Sequence, residues 1–146
     1  MEKHYRIVFI GAGSIGTALG NILSESLDEP VLLHSIDGEI VNDINKTNIN
    51  SRVFPATRLY QKLHATTNNA YLENSEFIFL AVPSVILVNY LIGIRQHIPD
   101  SACLINLAKG FGIGSRTIPD CLVEIMPNPV FTLKGPGFAR EIINRL

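Results

Sequence analysis

Five short apolar runs, each separated from the next by a segment of helical pattern, constrain this chain more than any other feature. Residues 5–10 (YRIVFI), 31–36 (VLLHSI), 77–82 (FIFLAV), 102–107 (ACLINL) and 130–133 (VFTL) are near-continuous in apolar side chains. Runs of this kind mark strands buried on both faces, which is the condition of a parallel sheet covered by helices. The intervening residues 14–27, 39–49, 84–97 and 118–126 each read as a helix. Strand and helix in alternation predict an α/β fold, a doubly wound parallel sheet with helices on both faces. One stretch breaks the rhythm: residues 50–69 (NSRVFPATRLYQKLHATTNN) are polar, contain Pro55, and read as a long connection with some local structure.

With 146 residues the chain is expected to form one domain, 1–146, around a single core. A formal net charge of -1 points away from nucleic acid and toward a small-molecule partner. Cys103 and Cys121 lie in apolar runs without CxxC spacing, so they are expected to be buried free thiols, with no metal site. The apolar run at residues 7–10 is too short for a signal-peptide core, and no stretch approaches the roughly 20 apolar residues of a membrane helix. A soluble, cytoplasmic protein without a membrane span is expected.

The strongest local motif follows the first run. In IVFIGAGSIGTALG, Gly11, Gly13 and Gly16 form GxGxxG between a strand and a helix. Gly11 would make the tight turn, Gly13 would let the backbone approach a pyrophosphate, and Gly16 would let the helix sit close to the sheet. Free N–H groups and the helix dipole would then hold the phosphates, in a Rossmann-like dinucleotide site. Asp37, at the end of the second run, stands where a carboxylate takes the adenosine ribose hydroxyls. Glycines at such a turn can also serve packing alone, and Asp37 with Gly38 can be a plain turn.

Three further turns fall at strand ends. In AVPS, Pro83 begins a helix beside the switch point of the sheet, as a cofactor neighbour or simply a helix start. In LAKGFG, Lys109 presents a cation at the carboxyl edge, where it suits an anionic or hydroxyl-bearing substrate. In LKGPGFAREI, Gly135 and Gly137 would let backbone amides approach a ligand ahead of a helix over 138–143.

Together these stretches resemble the N-terminal domain of the NAD(P)-dependent glycerol-3-phosphate dehydrogenases. GAGSIGTALG is similar to that family's GAGSxGTALA loop and NSRVFPATRL to its N-x-x-Y-L-P-x-x-x-L segment. AVPS, LAKGFG and LKGPGFAREI are similar to its V-P-S, T-K-G and S-G-P-(S/T)-F-A-x-E motifs, in the same order. The resemblance implies reversible hydride transfer between C2 of sn-glycerol 3-phosphate and a nicotinamide, giving dihydroxyacetone phosphate. It further implies that Ser14 and Ile15 sit at the pyrophosphate, that Lys109 reaches the nicotinamide ribose and orients substrate, and that Gly135, Gly137 and Ala139 line the nicotinamide end.

Departures from the family pattern stand at Lys134 and Gly137, where it has serine and serine or threonine, and at Ile15, where an aromatic is frequent. Ile36 stands where NADPH-preferring enzymes carry arginine or histidine. With the Asp37 carboxylate beside it, the expected cofactor is NAD ahead of NADP. In the resembled family a C-terminal helical domain follows and supplies a lysine general base. No lysine follows Lys134 here, so these residues alone are expected to bind cofactor without turning substrate over. Apolar surface left bare by that domain would favour a homodimer. Two alternatives remain open: a stand-alone dinucleotide-binding module, and a related two-domain dehydrogenase acting on another substrate such as ketopantoate or 6-phosphogluconate.

Overall fold

The computed structural model describes residues 4–135 and 137–146, so the proline of the Gly135–Gly137 turn lies outside the described residues. The chain runs β1 (Ile7–Ile10), α1 (Ser14–Leu27), β2 (Val31–His34), α2 (Gly38–Thr47), β3 (Leu63–Thr66), β4 (Phe77–Leu80), α3 (Ser84–Ile94), β5 (Cys103–Asn106), α4 (Ile118–Ile125), β6 (Val130–Thr132) and α5 (Ala139–Ile143). The strands form one six-stranded sheet in the order β3-β2-β1-β4-β5-β6, parallel throughout. The order reverses direction between β1 and β4, the switch point of a doubly wound sheet. The expected Rossmann-like fold is the fold observed.

Strand β1 lies at the centre, paired with β2 on one side and β4 on the other, and all four of its residues are buried. Its side chains alternate between two cores, as the twofold pleat requires. Val8 and Ile10 join Leu87 and Leu91 of α3 and Ile118 and Leu122 of α4. Ile7 and Phe9 face the other way, toward Ala18 of α1, Ile44 of α2 and Ile143 of α5. Phe9 stacks on Phe79, its register partner in β4, with ring centroids 4.5 Å apart. Among the described residues no helix is long and apolar enough to cross a membrane.

Three expectations need correction. The stretch 50–69 is not only a connection, because it contains β3, which forms the edge of the sheet beside β2. Only Leu63 and Ala65 of β3 are buried, so this strand lacks the continuous apolar run that marks the others. Its outer edge is closed by a side chain: Asn45 of α2 accepts a hydrogen bond from Ala65 N at 2.9 Å and donates one to Ala65 O at 2.8 Å. Two helices also end earlier than expected: α2 stops where Asn48 turns left-handed at φ 55°, and α3 tightens into a 3-10 turn over Arg95–His97. Finally, Cys121 is buried but Cys103 only partly so.

Candidate functional site

Because every strand is parallel, the turns after β1, β2, β4, β5 and β6 gather along one edge of the sheet. The glycine loop sits at its centre, and its three glycines answer to different constraints. Gly11 has φ +112°, and a Cβ there would lie 2.5 Å from Ala81 O, so the close approach of β1 and β4 excludes a side chain. A Cβ on Gly16 would lie 2.3 Å from Gly11 O, which fixes how tightly α1 meets the loop. Gly13 differs from both. Its backbone is extended (φ -78°, ψ -169°), a conformation open to any residue, and a Cβ there would meet nothing within 4 Å. Neither strain nor packing within the chain calls for glycine at 13, so the space beside it suits a group brought from outside.

Gly13 is also the N-cap of α1, and that helix end carries no side-chain cap and no acidic residue in its first turn. Its first N–H groups and the positive end of its dipole are therefore available to an anion. The loop is held from behind by Asn50, whose buried amide donates to Ala12 O and to Thr17 Oγ1, each at 3.0 Å. The bare cradle at Gly13 and the uncapped helix end fit a dinucleotide pyrophosphate.

Three adjoining hollows run along this edge from β2 to α5. One, of about 230 Å³, is lined by Gly13, Ile36, Arg52, Val82, Pro83 and Tyr90 among others. A second, of about 550 Å³, shares Gly13 and Pro83 with it and adds Ser14, Lys109 and Ala139. The third, also about 550 Å³, shares Ile15, Lys109 and Gly137 with the second and adds Lys134, Gly135 and Ile142. The fold thus brings Gly11, Gly13, Ser14, Ile15, Ile36, Pro83, Lys109, Gly135, Gly137 and Ala139 to one continuous cleft. Gly16 stands behind it, against the loop.

Asp37 stands at the outer end, where it lines a shallow depression with Ile36, and it is already engaged. Its Oδ1 caps α2 by accepting from Glu39 N at 2.9 Å and Ile40 N at 3.4 Å, while Oδ2 accepts from Arg52 Nη1 at 2.6 Å. Partial desolvation works to raise its pKa, but the two N–H donors and the guanidinium outweigh it and hold the carboxyl below its ordinary value. Beneath the first hollow, buried His34 pairs through Nδ1 with Tyr90 OH at 3.1 Å. Burial pushes the His34 pKa down, beyond what the nearby acceptor groups of Asn69 and Thr67 restore.

Arg52 and Asn50 escape a sequence reading of the site because they come from the polar stretch 50–69, which no local period assigns to it. They reach Asp37 and Ala12 across 15 and 38 positions of chain respectively. Lys134, noticed in the sequence only as a departure, lines the same hollow as Lys109.

A family model described as "NAD-dependent glycerol-3-phosphate dehydrogenase N-terminus" matches residues 6–146. Glycerol-3-phosphate dehydrogenase [NAD(P)+] of Neorickettsia sennetsu is 32% identical over 140 residues, covering 94% of this chain and 42% of that protein. The enzyme of the same name from Methanothermobacter thermautotrophicus is 34% identical over 140 residues, covering 94% of this chain and 43% of its own length. Among solved structures, glycerol-3-phosphate dehydrogenase from Coxiella burnetii superposes with a TM-score of 0.88 at 27% identity, over 98% of this chain and 44% of that one. The chain thus spans less than half the length of these relatives.

Proposed function

The chain belongs to the NAD-dependent glycerol-3-phosphate dehydrogenase family, matching its N-terminal part, and from that premise we propose that it binds NAD(P) for hydride exchange between sn-glycerol 3-phosphate and dihydroxyacetone phosphate. The observation that carries the reading is Gly13: a glycine that neither backbone strain nor packing explains, beside an uncapped helix end. When bound, the nicotinamide supplies the hydride acceptor or donor. The N–H groups of Ser14 and Ile15 take the pyrophosphate, helped by the dipole of α1. Ile36 and Pro83 flank the adenosine, and Asp37 stands by its ribose. Gly135, Gly137 and Ala139 leave room at the nicotinamide end of the cleft.

Lys109 is the residue assigned to substrate. It would hold the hydroxyl-bearing end by charge and hydrogen bonding, so that C2 faces the nicotinamide in a reactive geometry. Its role is orientation, and proton removal is not assigned to it. The reading carries with it a cytoplasmic setting, a small soluble substrate and association of two copies through the apolar rim near Leu133 and Phe138, both exposed.

The test is calorimetric titration of the chain with NADH and NADPH. Binding in the micromolar range or weaker is expected, because this chain encloses the cofactor on one side only. No heat with either cofactor at millimolar concentration would overturn the proposal.

A further inference from the structure

A carboxylate at the end of the second strand favours a free ribose and repels a 2′-phosphate, provided that its charge is unopposed. Here it is opposed. Arg52 lies 2.6 Å from Asp37 Oδ2 and 3.6 Å from Glu39 Oε2, and its side chain remains 58% exposed. Among the described residues lining the hollow that holds Gly13, Ile36 and Pro83, Arg52 alone is a lysine or arginine. We propose that Arg52 determines cofactor specificity: by pairing with Asp37 and keeping donors to spare, it lets this site accept a ribose 2′-phosphate, so that NADP is taken alongside NAD.

The inference rests on the dinucleotide reading above and adds the residue that chooses between the two cofactors. A guanidinium carries five N–H donors in a planar fork, and its contacts with Asp37 and Glu39 leave several of them for phosphate oxygens. The backbone that presents it is anchored on both sides. Asn50 is tied to the glycine loop, Ser51 donates to Asp43 Oδ2 through N at 2.8 Å and Oγ at 2.6 Å, and Phe54 is buried. Arg52 is therefore held over the ribose end before any ligand arrives, and little ordering is left to oppose binding. Glu39 adds a second carboxylate, but it is 91% exposed and screened by water and salt.

The experiment measures Kd for NADH and NADPH on the same chain, by cofactor fluorescence, with Arg52→Gln and Asp37→Asn beside the unaltered protein. The unaltered chain is expected to bind both cofactors within about tenfold of each other, and Arg52→Gln to raise the ratio Kd(NADPH)/Kd(NADH) about tenfold or more, the worth of a lost charge-assisted bond. Asp37→Asn keeps a good helix cap while freeing Arg52, so it is expected to lower that ratio. This variant carries the test if Arg52→Gln proves unfolded by thermal melting. NADH binding with a ratio that neither variant moves would overturn the role of Arg52 while leaving the dinucleotide site standing. Failure of both cofactors to bind the unaltered chain would overturn the site itself.

Discussion

Replacing Gly13 by alanine separates a glycine kept for the chain from one kept for a ligand. At Gly13 the added methyl meets nothing within 4 Å and the backbone is extended, so folding imposes no steric penalty. Two small effects remain. Alanine restricts the unfolded chain, which stabilises by about 0.4–1 kcal/mol. It is also a poorer N-cap than glycine, at a cost of about 0.5–1 kcal/mol. These nearly cancel, leaving a Tm within about 2 °C of the original. The methyl does, however, occupy the space assigned to the pyrophosphate. Losing one charge-assisted N–H contact there is worth about 1.5–3 kcal/mol, or roughly tenfold to a hundredfold in Kd for NADH. Gly11→Ala is the control, since φ +112° and the contact with Ala81 O predict a loss of about 2 kcal/mol or more in stability. Thermal melts and NADH titrations of the two variants decide the matter. If Gly13→Ala binds NADH as tightly as the unaltered chain, the phosphate does not lie against Gly13 and the cradle argument is refuted.

Other outcomes follow from side chains around the loop. Asn50→Ala removes the two bonds to Ala12 O and Thr17 Oγ1, which should lower stability in urea by about 1–3 kcal/mol and weaken NADH binding as the loop loosens. His34 has a folded pKa below its ordinary 6.5, because burial disfavours its charged form. The unfolded chain therefore takes the proton more readily, and stability should fall as the pH drops through about 6.5, levelling off below the folded value. Urea melts at pH 7.5 and 5.5 should show this loss, and His34→Gln should reduce it. Arg52→Lys keeps the charge but loses the planar fork, so its NADPH/NADH ratio of Kd should fall between those of the unaltered chain and Arg52→Gln.

The central strands were legible because burial on both faces leaves a mark on every residue, as in IVFI of β1 and VLLH of β2. β3 was not, because an edge strand needs only Leu63 and Ala65 to face the core, and two apolar positions do not make a run. The glycine loop was legible as a motif with a separate role for each glycine, yet its sequence does not say that Gly11 is pressed against Ala81 O. That contact depends on the register of β1 against β4. Asp37 shows the opposite limit. Its position relative to the loop was readable, but its state was not, since the partner that neutralises it stands 15 residues away on a segment without periodic pattern. Chemistry carried by contacts between remote segments is invisible to a reading that works through local period and spacing.

The closing of Ala65 by Asn45 leaves the sheet with two unlike ends. At β3 the outward N–H and C=O of Ala65 are taken by a side-chain amide, so another strand finds no template there. At the opposite end, among the described residues, β6 pairs with β5 alone, and Phe131 is exposed. Continuous stacking of sheets edge to edge needs two receptive borders per molecule, and the closing of Ala65 withdraws one of them. Propagation into a fibre by strand addition is therefore opposed at the β3 border, whatever meets β6.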